Sequence, residues 1–326
     1  MMFASALGVF VAVGLISIVF VFTLIGIAAN VGSTPDYTPK SNTVYKLTLE
    51  GNLSDNTEEN PIAMLMGETD KSLSLKDILS SIQTAKENKN IKGIYIEAKG
   101  LSTGSASLEA IRRALNDFKE SGKFIVAYSD NYTQGCYYLC SVADKVFLNP
   151  QGTLGLVGMA SQTMFYKDLL KKVGVEMMIF KVGTYKGAVE PFMLDKLSDA
   201  NREQIQSYIS TIWDNVTNGI AESRKIPVAD INNFANQGYA FAAAEKAVEC
   251  GLIDELKYRP EAEEFVKELA GQSDKRLQTA SLSNMKSIKT ISREKADRIA
   301  DELHGIKGHM KNIGNVAVGK PAGELA

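Results

Sequence analysis

Residues 91–98, IKGIYIEA, decide the fold class: a short run rich in β-branched residues, it reads as a strand, and helix-patterned stretches flank it on both sides. Before it, Leu75, Ile78, Leu79, Ile82 and Ala85 repeat at helical spacing over 74–88. After it, Leu108, Ile111, Leu115 and Phe118 do the same over 107–121, and 124–128 (FIVAY) follows as another strand. Strands alternating with helices of this length predict βαβ units around a buried, largely parallel sheet, hence an α/β fold. Working outward, Tyr45, Leu47 and Leu49 alternate with Val44, Lys46 and Thr48, which gives a strand from Thr43 closed by Gly51 and Asn52. Residues 145–149 (KVFLN) and 176–181 read as further short strands, and 252–256 (LIDEL) follows the helix expected over 240–250. Helices are expected over 166–173, 240–250 and 261–269, and a long one over 198–223, with Ser198 as its N-cap and Ile205, Ile209, Ile212, Trp213, Val216 and Ile220 on one face.

Four segments follow from composition. Residues 1–32 carry no charged side chain and exceed the roughly 20 apolar residues that span a bilayer, which predicts an N-terminal transmembrane helix. A tether, 33–42, is kept extended by Pro35 and Pro39. The globular domain is expected over 43–271, and 272–326 is read as a polar tail. Within that tail, Ile299, Leu303, Ile306, Met310 and Ile313 mark a short amphipathic helix. A net charge of −2 gives no electrostatic footprint for nucleic acid. Three cysteines, Cys136, Cys140 and Cys250, without paired CxxC spacing, argue against a disulfide framework or a zinc ribbon.

The chemistry centres on 180–192, FKVGTYKGAVEPF. Lys186 lies there between Tyr185 and Gly187, with Val182, Ala188, Val189 and Phe192 around it; desolvation in such company would favour the neutral amine and a base near neutral pH. An exposed loop lysine is the alternative. Both histidines, His304 and His309, fall in the tail, so a Ser-His-Asp triad, a Cys-His dyad and a histidine-ligated zinc site are excluded from the body. If the body performs acyl transfer, lysine is the leading base. A second feature is the glycine-containing strand-to-helix turn at 131–139 (NYTQGCYYL), where backbone N–H groups could stabilise an anion.

Three stretches carry a family resemblance: VGTYKGAVEPF (182–192), GCYYLCSVADKVFLNPQG (135–152) and FAAAEKAVECGLIDEL (241–256). The chain resembles the amino-terminal repeat of long-form signal peptide peptidase A, a family of membrane-anchored serine-lysine peptidases of the ClpP/crotonase fold group. The resemblance implies that Lys186 is the general base, removing a proton from a serine that attacks a peptide carbonyl. It implies no cofactor and no metal. The implied partners are signal peptides or other unfolded peptides, the membrane, and either copies of the chain or a serine-bearing second repeat. The implied location is the cell membrane, single-pass, with the soluble domain on the extracytoplasmic side.

The departures are specific. Aligning on Tyr137 and Tyr138 puts Gln134 where active domains carry the nucleophile, and the family's Pro-Gly-Gly segment appears only as 99–104, KGLSTG. Ser102, Ser105, Ser129 and Ser141 are nearby hydroxyls. Two readings stand: a membrane-anchored peptidase component that supplies Lys186 while another repeat or chain supplies the serine, or a non-catalytic assembly or substrate-binding module. Crotonase-like acyl-CoA chemistry is a third, against which the predicted anchor and the GTYK segment speak.

Overall fold

The computed structural model describes residues 14–19, 37–55, 73–241, 243–274 and 276–288. Its centre is a parallel sheet. Strands β1 (Thr43–Ser54), β2 (Leu73–Ser74), β3 (Ile91–Ser102), β4 (Phe124–Ser129), β6 (Lys145–Leu148) and β8 (Glu255–Leu256) run in the order β2-β1-β3-β4-β6-β8, and β9 (Thr279–Ala280) also pairs with β1. Every one of these pairings is parallel. Two short strands, β5 (Tyr132–Thr133) and β7 (Leu154–Gly155), form a separate parallel pair.

Parallel strands need crossovers, and those crossovers place helices on the sheet faces. Helix α1 (Leu75–Glu87) begins at Ser74, whose side chain accepts from Asp77 N, and α2 (Ser105–Lys119) follows β3. Further along lie α3 (Gln134–Cys140), α4 (Lys167–Lys172), α5 (Glu190–Met193), α6 (Asp199–Arg224), α7 (Val228–Asn236), α8 (Glu245–Glu249), α9 (Arg259–Leu269) and α10 (Leu282–Lys286).

The two-residue period of the strands sorts side chains into two cores. Tyr45, Leu47 and Leu49, with Ile94, Ile96, Ala98, Ile125, Ala127, Val146 and Leu148, face the α1–α2–α3 layer. Their alternates Val44, Tyr95, Val126, Tyr128 and Phe147 face α9, which supplies Ala262 and Val266. Glu97 belongs by parity to the α9 face, where it is buried and ion-paired to Lys46 (3.2 Å), Arg259 (3.1 Å) and Lys99 (3.9 Å). A carboxylate removed from water needs such partners.

Helix α6 is buried against this body in its C-terminal half, at Thr217 and Ile220, and the rest of the expected apolar face is half-buried. Arg112 of α2 makes the join. Its guanidinium donates to the carbonyls of Tyr138 and Gly219 and to the hydroxyls of Ser141 (2.8 Å) and Ser223 (2.6 Å), and it stacks 4.4 Å from the Tyr138 ring centroid. Beyond Gly271 the chain adds β9 and α10, with Met285 buried against the α1 side.

The membrane expectation is corrected. Among the described residues no helix is long and apolar enough to cross a membrane. Within 1–32 only residues 14–19 are described, and they are helical; the remainder of 1–32 lies outside the described residues. The transmembrane helix, the membrane as a partner, the single-pass cell-membrane location and the membrane-anchored form of the peptidase are not supported. The amphipathic helix expected around 299–313 also lies outside the described residues.

Candidate active site

Three pieces of chain carry the candidate residues. The first is the turn after β4. Ser129 is buried, and its hydroxyl lies 2.6 Å from the Ala98 carbonyl and 2.7 Å from that of Asn131, fixing the chain as it leaves the sheet. Asp130 accepts from Tyr128 (2.6 Å), Asn149 (2.9 Å) and Arg259 (2.6 Å). These bonds, the Tyr128 hydroxyl's first, hold the Asp130 carboxyl below the usual carboxylate range. Burial, joined by the Asp130 bond, pushes the Tyr128 phenol up to about 12. Thr133 then caps α3 by accepting from Cys136 N. Tyr137 and Tyr138 anchor that helix through their hydroxyls, to the Leu252 carbonyl and to Glu109, each at 2.6 Å.

The second piece is the connection from β6 through β7. Gly152 is required because a Cβ there would collide with the Asp130 carbonyl, so the loop can lie directly on the turn. Pairing of β7 with β5 then brings Val157 and Gly158 beside the start of α3. The side-chain carbonyl Oε1 of Gln134 accepts from both backbone amides, Val157 N at 3.2 Å and Gly158 N at 3.1 Å. Two adjacent N–H groups converging on one carbonyl oxygen is the donor pattern that stabilises an oxyanion in acyl transfer. Here the oxygen belongs to the protein, and the residue carrying it has no nucleophilic atom.

The third piece carries Lys186, which precedes a single 3₁₀ turn, 187–189. Sequence alone does not single out what fixes this segment: Glu190. This carboxylate is fully buried and accepts from Ser198 Oγ (2.6 Å), Ser198 N (3.1 Å), Asn201 Nδ2 (3.1 Å) and Lys181 Nζ (3.2 Å). Burial alone would raise its pKa, but the bonds from Ser198, Asn201 and Lys181 outweigh it and hold the group down at about 2. The 180–192 segment is thereby clamped to the N-terminus of α6. Gly187 completes the fit, since a Cβ there would run into the Asn201 amide, and Phe192 stacks on Tyr166 at 6.0 Å. The available signal was a lone carboxylate in the apolar run 188–193, AVEPFM.

Lys186 itself is exposed, as are Val182 (88%) and Tyr185 (51%) beside it. Among the described residues its ammonium has no hydrogen-bond or ion-pair partner, and no hydroxyl is brought to it. Of the four serines, Ser141 is buried and bonded to Arg112 and the Tyr138 carbonyl, Ser129 is engaged as above, and Ser102 and Ser105 are exposed at the β3–α2 junction. No cluster of His, Cys, Asp and Glu among the described residues could hold a metal ion. Cys136 and Cys140 are buried free thiols, and burial pushes the Cys140 thiol up.

Against known proteins, the model of Peptidase family S49 matches residues 117–273, a span that includes Gln134, the Val157–Gly158 amides and Lys186. Protease 4 of Salmonella typhi is 42% identical over 154 residues, covering 47% of this chain and 25% of that protein. Protease 4 of Haemophilus influenzae is 32% identical over 239 residues, covering 69% of this chain and 39% of that protein. The chain therefore spans well under half the length of these relatives. A solved enoyl-CoA hydratase/isomerase family protein from Silicibacter pomeroyi aligns over 83% of this chain and 96% of its own at 13% identity and a TM-score of 0.39. The chain is homologous to the proteases of Peptidase family S49, Protease 4 among them, and on that homology it classes with serine-protease-like enzymes.

Proposed function

We propose that this chain is a non-catalytic, substrate-binding module of a Peptidase family S49 protease, corresponding to the amino-terminal repeat of the long form. One observation carries the reading. The position expected to hold a nucleophile is Gln134, and its amide oxygen occupies the Val157–Gly158 N–H pair. An amide nitrogen does not take up an acyl group as a serine oxygen does, and the donors suited to an oxyanion are already satisfied. Lys186, as the general base the resemblance implies, would need a serine hydroxyl and an apolar cover that the described residues do not supply. The substrates implied by homology are peptides in an extended, unfolded state, and the exposed apolar residues of 157–193 suit them better than a folded surface.

The test uses the full chain with a serine-reactive fluorophosphonate, a fluorogenic peptide, and carboxymethylated casein as a permanently unfolded protein. Expected are no covalent adduct, turnover at the buffer rate, and saturable casein binding. Labelling accompanied by turnover that Lys186→Ala abolishes would overturn the reading, and so would failure to bind casein.

A further inference from the structure

Beside the N–H pair lies an open recess of about 250 Å³, lined by Val157, Gly158 and Met159, by Ile209, Trp213 and Ala235, and by the polar side chains of Gln206, Ser210 and Asn236. The Trp213 indole N–H is satisfied internally, donating to Asn232 at 2.7 Å, so the ring offers the cavity its apolar surface. An amide carbonyl therefore sits on two backbone donors at the rim of a recess that offers both apolar and polar contacts. A peptide in extended form presents the same chemistry: a main-chain carbonyl, with an apolar side chain on the neighbouring residue.

We infer that the Val157–Gly158 amides and the adjoining recess form a peptide-carbonyl subsite, which the Gln134 side chain occupies in the absence of ligand and yields to an extended peptide. This rests on the substrate-binding reading and gives it a location. Three features support it. Gln134 and Val157 are exposed or half-exposed, so the amide can swing into water without breaking the core. The N–H pair stays satisfied in both states, by Gln134 or by the peptide, which avoids the cost of orphaned donors. The recess adds contacts that a single glutamine does not use, apolar from Ile209 and Trp213 and polar from Gln206, Ser210 and Asn236, and these let the peptide displace an intramolecular competitor. No bond is made or broken in the exchange; one amide carbonyl replaces another.

The competition gives an ordered test. The probe is an end-capped, fluorescein-labelled heptapeptide with leucine at its centre and threonine elsewhere, followed by anisotropy and by the ¹H–¹⁵N shifts of the Val157 and Gly158 amides. Gln134→Ala removes the competitor and is expected to tighten binding about fivefold to tenfold, the scale of two net hydrogen bonds. Gln134→Glu puts a charge-assisted acceptor on the same donors and is expected to weaken binding by a similar factor. Ala235→Trp fills the recess and is expected to abolish binding, with circular dichroism verifying the fold. The order Gln134→Ala tighter than wild type tighter than Gln134→Glu, with both amide signals moving, would establish the subsite. Heptapeptide binding that ignores Gln134 and leaves those signals in place would overturn it while the substrate-binding reading stood. Casein binding without heptapeptide binding would do the same, and loss of both would overturn the two together.

Discussion

The sheet and the 157–193 segment use the same kinds of residue and treat them oppositely. In β1, β3 and β4, isoleucines, valines and tyrosines are wholly buried, as with Ile94, Tyr95 and Val126 at 0% exposure. In the segment, Met178, Phe180 and Val182 stand 84%, 87% and 88% exposed. The difference is not hydrophobicity but partnership. Each sheet strand has a neighbour to satisfy its backbone and helices over its faces, whereas 176–181, although patterned like a strand, has no strand beside it among the described residues. Apolar contact with the body fails there because the segment is held from its far end, by Glu190 on the start of α6.

The body half of that contrast is most exposed to attack at Arg112, which joins α2, α3 and α6. Arg112→Ala removes a buried cation and leaves the Tyr138 and Gly219 carbonyls and the Ser141 and Ser223 hydroxyls short of a donor. The expected loss is about 3–5 kcal/mol of unfolding free energy. Urea denaturation followed by tyrosine fluorescence and by the single tryptophan, Trp213 on α6, measures it. Coincident transitions would place α6 in the same cooperative unit as the sheet, and an earlier tryptophan transition would separate the two regions.

How much of this was legible in the sequence follows from the same contrast. The strands at 91–98, 124–128 and 145–149 and the helices at 74–88 and 107–121 were readable because each carries a whole period of pattern and ends in a cap or a turn. Ser198 was readable as an N-cap, and its hydroxyl does accept from Asn201 N. The strand expected at 176–181 is absent because periodicity reports what a segment could bury, not whether a neighbour exists. Strands of two residues, such as β5, β7 and β9, fall below the length at which a period can be seen. Of the site, Lys186 and the Gln134 position were visible from motif. The Val157–Gly158 donors were not, because backbone amides leave no mark in residue identity. Nor was the Glu190 clamp, whose partners Ser198 and Asn201 lie eight and eleven residues on and meet it only through the bend at α5.

Glu190 is also where the loose region can be loosened further without touching the sheet. Glu190→Gln keeps the shape but loses the charge that Lys181 and Ser198 favour, and is expected to cost about 1–2 kcal/mol, confined to 181–201. Hydrogen exchange should show faster amides there and unchanged ones in β3 and β4. The pH dependence has a definite sign. Because the folded-state pKa, about 2, lies below the unfolded value of about 4.3, the clamp's contribution is present above the unfolded value and is lost as pH falls through the folded one. Wild-type protection over 181–201 should therefore decline between about pH 5 and pH 2, a decline that Glu190→Gln should lack. An identical profile in the variant would mean that another group governs the segment.

The smallest effect is expected where the apolar residues are largest. Met178→Ser and Phe180→Ser remove side chains that contact water over most of their surface, so the isolated chain should lose less than about 0.5 kcal/mol. Deletions of this size in the core cost several times more. A loss above about 2 kcal/mol for either would mean that these residues are covered in the folded chain, and the contrast with the sheet would collapse. If stability holds while casein binding weakens severalfold, the exposure is functional: the surface that fails to pack on its own body is the surface that meets an unfolded peptide.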